Sequence, residues 1–384
     1  MKKIPLVKDT IDKKDIKQLI SWLKTNPRLT KGELTILFEH EWSKWLGTKF
    51  SVFVNSGSSA NLAAVYALIL SGKLKNNKIV VPAVSWVTTV TPAIQLGLQP
   101  IMCDCDKNNL GLDISSLKEI IETENPGAII LVHVLGIPNQ IYEILDLCKK
   151  NNIMLIEDTC ESLGSQYENK KLGTFGNLST FSFYFGHHIS TIEGGMISTD
   201  DEDLYHILLS IRSHGWDRDL PTYKQNELRE KYKIDEFTSL YTFYYPGFNL
   251  RSTDLQAYIG LNQLKKLDEI THLRNKNYEI YHNEIKNDFW KIQPPENSFV
   301  SNFSYPIITE KKFELVNNLK KNNIECRPLI CGSISKHPFW YQKYGTNSYP
   351  NSELVHNLGI YVPNNHQITD KELKKIVKVI NNTL

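Results

Sequence analysis

Cysteine is scarce in this chain, with six in 384 residues, and the six follow no pairing pattern. Cys103, Cys105, Cys148, Cys160, Cys326 and Cys331 are too dispersed for the disulfide framework of a small secreted domain. Cys103-Asp-Cys105 has no CxxC partner and no matching histidine pair, so neither a structural metal nor an iron–sulfur cluster is expected. No apolar run approaches the ~20 residues that cross a bilayer, which argues against a membrane partner. An excess of one charge is also missing. The 44 Lys and Arg nearly balance 42 Asp and Glu, and the net charge of +2 gives no reason to expect nucleic acid. Internal repeats, low-complexity tracts and flexible linkers are absent. The opening Met1-Lys-Lys-Ile-Pro-Leu-Val-Lys-Asp-Thr10 turns charged again before an apolar stretch could serve as a signal, so a cytoplasmic location is expected.

What is present reads as an ordinary globular enzyme, with 41% hydrophobic and 22% charged residues and length for one large core plus a second lobe. Through the first two-thirds, helical patterns alternate with short apolar runs. Asn61–Leu70 reads as a mostly buried helix, and Ile79–Val81 and Ile129–His133 as strands buried on both faces. Ile141–Lys150 has helical spacing with cations at its end and leads into the strand Ile153–Ile156. Strand, helix, strand in this rhythm predicts parallel βαβ units and a doubly wound α/β sheet. Ligands in such sheets sit beyond the carboxyl ends of the strands, which singles out Ser85-Trp86 and Asp158. Near Leu264–Ile270 a long helix is expected to leave this domain. The remainder alternates amphipathic helices (Phe313–Lys320) with strand-like pieces (Phe303–Ile308), predicting a large domain over 1–265 and a smaller α+β domain over 266–384.

Three segments have residues suited to chemistry. Asn55-Ser-Gly-Ser-Ser-Ala60 precedes a helix; its small residues fit a backbone cradle for phosphate or an ordinary serine-rich cap. Asp158, ending an apolar strand in Ile156-Glu-Asp-Thr-Cys-Glu161, suits either a helix cap or a partner for a protonated ring nitrogen. Trp86 can stack on a ring or fill a core. Each signal is weak alone; their order and spacing are specific.

In that order the chain resembles the fold type I, pyridoxal-phosphate-dependent DegT/DnrJ/EryC1/StrS family of sugar-nucleotide enzymes over almost its full length. The resemblance runs through Arg28–Gly32, the Ser-Gly-Ser-Ser loop, the strand-end Glu-Asp, Glu193-Gly-Gly195 and Tyr245–Ala257. It implies that Gly57 and Ser58 hold the cofactor phosphate with backbone groups and that Ser182 adds a hydroxyl. It further implies that Trp86 stacks on the pyridine ring and that Asp158 pairs with its nitrogen. Asn249 resembles a residue that reaches the neighbouring subunit's phosphate, which implies a homodimer with shared sites. Glu161 stands where many relatives have glutamine. The resemblance further implies that His214 and Arg218, in Arg212-Ser-His-Gly-Trp-Asp-Arg218, lie near the substrate after the family's Arg-x-x-Gly element and contact its sugar or diphosphate; otherwise they form a solvent-exposed loop.

One absence is local. The family lysine, which holds an aldehyde cofactor as a Schiff base, falls seven residues before the first glycine of Glu-Gly-Gly. Here that position is His187, followed by His188, and no lysine occurs between Lys171 and Lys224. Imidazole has no primary amine and can only move protons. The His-for-Lys pattern resembles the family's 3-dehydratases, especially those acting on a GDP-linked 4-keto-6-deoxy sugar. A branch acting on CDP-linked sugars uses cluster-binding cysteines downstream, and no cysteine occurs here between Cys160 and Cys326. The resemblance therefore implies pyridoxamine/pyridoxal phosphate as cofactor, L-glutamate as nitrogen donor and His187 as the proton carrier that expels the C3 hydroxyl. An unperturbed imidazole pKa near ~6.5 is expected to serve both directions. The rivals are a sugar aminotransferase using another lysine and a non-catalytic, cofactor-bound sensor.

Overall fold

The computed structural model describes residues 3–384. The apolar runs become one seven-stranded sheet. Its order is Phe50–Val54, Gly195–Thr199, Leu178–Ser182, Met154–Asp158, Ala128–Val132, Lys78–Pro82, Gln99–Cys103. Every strand runs parallel except Gly195–Thr199, which pairs antiparallel on both sides. All five residues of Ala128–Val132 are buried, as expected of a strand covered on both faces. The predicted doubly wound, mostly parallel sheet is therefore present, with each expected strand displaced by about one residue at its ends.

Helix Gly57–Leu70 lies across the strands Leu178–Ser182 and Gly195–Thr199, burying Ala60, Ala63, Ala64, Val65, Ala67 and Leu68. Its run of alanines lets the helix lie close to the sheet and so sets its first turn beside the end of Leu178–Ser182. Gly57 is required at that contact. A Cβ there would fall 2.6 Å from the Ser182 Cβ.

The predicted long helix leaving the large domain is two helices. Asp254–Leu264 ends at Lys265, and Leu267–Glu284 follows. The break suits its charges, because Lys266 reaches Asp12 and Asp15, both at 2.7 Å. Beyond it, Ser304–Ile308, Gly359–Pro363 and Arg327–Pro328 form a three-stranded antiparallel sheet. Helices Lys312–Lys321 and Asp370–Asn381 contribute Leu315, Leu319, Leu373 and Ile376 to the core beside it. The N-terminal segment joins this region, with Ile4 bridging Ile324 and Pro5 accepting from Asn365. Among the described residues, no helix is long and apolar enough to cross a membrane.

Candidate active site

The segments that leave the carboxyl ends of the parallel strands converge on a cavity of about 490 Å³. Phe50–Val54 delivers Ser56, Gly57 and Ser58; Lys78–Pro82 delivers Trp86; Met154–Asp158 delivers Asp158, Cys160 and Glu161; Leu178–Ser182 delivers Ser182 and His187. The small sheet closes the other side with Phe303, Arg327 and Tyr361, and the N-terminal segment adds Leu6 and Val7.

Asp158 is buried, yet its carboxylate accepts only from neutral groups: Asn61 Nδ2 at 2.8 Å, Thr89 Oγ1 at 2.7 Å and the Cys160 backbone N–H at 3.1 Å. Among the described residues no cation pairs with it. A buried carboxylate without a counter-ion suits a cationic ring nitrogen. Trp86 is 54% exposed and lines the cavity, so it is not a core residue and offers its face to a ring. On the third side, Ser56 caps the helix by accepting from Ser59 N–H at 3.1 Å. The Gly57 and Ser58 N–H groups, in the first helical turn, have no partner within the helix and suit an anion. Ser182 Oγ lies beside Gly57. A cofactor with a phosphate at one end and a protonated aromatic nitrogen at the other fits this set.

Glu161 is buried, and its carboxyl accepts from the Leu135 N–H at 2.9 Å. Burial, with Asp158 nearby, pushes its pKa up to about 8, so at neutral pH it is a hydrogen-bond donor, as glutamine would be.

His187 sits in the loop between Leu178–Ser182 and Gly195–Thr199. Its ring meets Phe303 edge-on at 5.6 Å and Tyr184 at 6.4 Å, and its Nδ1 has no partner among the described residues. The expected unperturbed pKa is not what the structure gives. Burial, with the Arg274 guanidinium nearby, pushes it down to about 4, so the resting ring is neutral. His188 points away from the cavity and is fully buried; its Nε2–H donates to the Ser301 carbonyl at 3.1 Å.

Three candidates lie outside the cavity of their own chain. Asn249 pairs with Ser213 in a bridge and accepts from Arg251 Nε at 3.0 Å. His214 lies against Arg251, and the Arg218 guanidinium stacks on Trp216 at 4.0 Å and donates to the Leu240 carbonyl. All three sit on segments following helix Glu202–Arg212, which the sequence placed no nearer to the strand ends. Conversely, Asn61, Thr89, Phe303, Arg327 and Tyr361 line the cavity without having been singled out. Asn61 sits on a helix read only for its apolar content, Thr89 on the helix Val87–Gln95 that was not read from the sequence, and nothing in the spacing of the last three marks them.

The family model of the DegT/DnrJ/EryC1/StrS aminotransferase family matches residues 9–381. The GDP-4-keto-6-deoxy-D-mannose 3-dehydratase of Escherichia coli O55:H7 is 40% identical over 375 residues, 95% of each chain. A solved GDP-4-keto-6-deoxymannose-3-dehydratase with a trapped PLP-glutamate geminal diamine superposes with a TM-score of 0.89 at 37% identity, covering 98% of this chain and 99% of that one. A variant of that enzyme with a histidine replaced by asparagine, bound to GDP-perosamine, superposes at 0.88 with 36% identity over 98% and 99%. With the family model matched over residues 9–381 and a relative 40% identical over 95% of each chain, the chain belongs to the DegT/DnrJ/EryC1/StrS aminotransferase family.

Proposed function

We infer that this protein is a pyridoxal-phosphate-dependent 3-dehydratase that removes the C3 hydroxyl of a GDP-linked 4-keto-6-deoxy sugar, with L-glutamate restoring the amine form of the cofactor. One observation supports dehydration over amino transfer: an imidazole stands where the family has its lysine, and no lysine lines the cavity among the described residues. The bound cofactor supplies an amine for the sugar ketone and an aromatic ring that accepts electrons. Gly57, Ser58 and Ser182 hold its phosphate, Asp158 its ring nitrogen, Trp86 its face, and Glu161 donates a hydrogen bond to it.

His187 moves the proton. Its neutral ring accepts one, and its depressed pKa makes the resulting imidazolium a strong acid for the departing hydroxyl. Arg327, a guanidinium on the cavity wall, suits the diphosphate of the substrate. Asn249, His214 and Arg218 act on the neighbouring subunit's site in a homodimer. The large domain takes the described residues up to 265 and the small one 266–384, with the N-terminal segment from Ile4 packed on the latter. The deciding experiment incubates the protein with glutamate and the GDP-linked 4-keto-6-deoxy sugar. Mass spectrometry should show loss of the C3 oxygen with release of ammonia; a retained 4-amino sugar would make the protein an aminotransferase.

A further inference from the structure

Arg274 is 1% exposed, on helix Leu267–Glu284, and no carboxylate pairs with it among the described residues. Buried guanidinium groups are normally paired. This one donates instead to three carbonyls: Asn302 and Asn364 of the small-sheet region, and His187 itself at 3.2 Å. It thus ties the catalytic loop of the large sheet to the opposite wall of the cavity. Its charge adds to burial in lowering the pKa of both His187 and His188.

The other groups facing His187 offset little of that charge. Asp158 is engaged by three neutral donors, Glu161 is protonated at neutral pH, and Glu193 is exposed and screened by solvent. The Cys160 thiol and the Tyr361 phenol are both held neutral by burial. Arg327 is solvated and paired with Glu325 at 3.3 Å. His188 is itself buried and donates to a carbonyl.

We propose that Arg274 is a positioning residue for the dehydration: its unpaired guanidinium anchors the His187 turn to the small domain and adds its charge to the burial around the imidazole. The proposal rests on His187 as proton carrier, but its first test does not need activity. In the holoenzyme with histidines labelled by ¹⁵N, His187 (assigned by its loss in His187→Asn) titrates below pH 5. A midpoint near ~6.5, the ordinary imidazole value, overturns the proposal whatever the enzyme catalyses.

Arg274→Gln removes the charge and keeps a carbonyl donor. The His187 midpoint then rises by at least one pH unit, and the acid limb of kcat/KM rises with it. A folded, cofactor-loaded Arg274→Gln protein with both unmoved would show that the guanidinium is only a structural tie. Arg274→Lys keeps the charge but loses the fork geometry. In that variant the acid limb stays in place while kcat falls; a limb that shifts as far as in Arg274→Gln contradicts the electrostatic role. Absence of dehydration in the wild type, with the low His187 midpoint present, would fault the functional reading and leave the electrostatic half standing.

Discussion

His187→Asn removes the proton carrier but keeps the backbone hydrogen bonds of its loop, from His187 N–H to Tyr184 and from Arg274 to the His187 carbonyl. Dehydration should fall by at least ~10²-fold, the usual scale for a lost acid–base group, while cofactor affinity measured by absorbance titration stays within a few-fold. Near-normal turnover would remove His187 from the mechanism. His187→Lys should attach the cofactor covalently and shift its absorption maximum; an unchanged spectrum would mean that position 187 does not face the aldehyde. Glu161 allows a prediction with a definite sign. Its folded pKa of about 8 lies above the ordinary 4.5, so the native state holds a proton that the unfolded chain releases between those values. Stability is therefore lost as pH rises through that window. Glu161→Gln should raise the melting temperature above pH 7 and abolish any fall in activity centred near pH 8. A lower melting temperature at pH 8 would show that the ionised form is the native one.

At the scale of elements, the site depends on how closely one helix approaches one strand. Gly57→Ala puts a methyl against Ser182, and overpacking of this kind typically costs ~1–3 kcal/mol. Because the same turn presents its N–H groups to the cavity, cofactor affinity should drop along with stability, as followed by absorbance titration and thermal unfolding. Unchanged affinity would place the phosphate elsewhere. The helices and strands around this turn were legible because their apolar residues repeat at helical spacing or run unbroken. The break at Lys265–Lys266 was not, since Asn262 through Ile270 keeps a helical pattern. What interrupts it is the pull of Lys266 toward Asp12 and Asp15, residues some 250 positions away in the chain.

For the whole molecule, the proposed exchange of Asn249 between subunits makes complementation the sharpest measurement. Asn249→Ala and His187→Asn proteins, each inactive, should on mixing and reassociation recover about one quarter of wild-type activity, because half the dimers are hybrids with one intact site of two. No recovery, with hybrid dimers demonstrated by mass, would mean that each chain completes its own site. Sedimentation should report a dimer throughout. Trp86 and Asp158 could be singled out in advance because they follow strand ends, and parallel strands present those ends to a common edge; the family resemblance added Gly57, Ser58, Glu161, Ser182 and His187. Phe303, Arg327, Tyr361 and Arg274 could not. They reach the cavity because the chain folds back after Leu264, and no local pattern encodes where such a return lands.

The residue types and their order, read with the family resemblance, thus put an imidazole where the family carries its lysine, since chemistry at one position needs only that residue's identity. Tertiary structure alone decided the protonation of that imidazole and of Glu161. A pKa depends on burial and on charges brought near from distant parts of the chain, and only the folded arrangement buries both groups and brings Arg274 to His187 and Asp158 to Glu161.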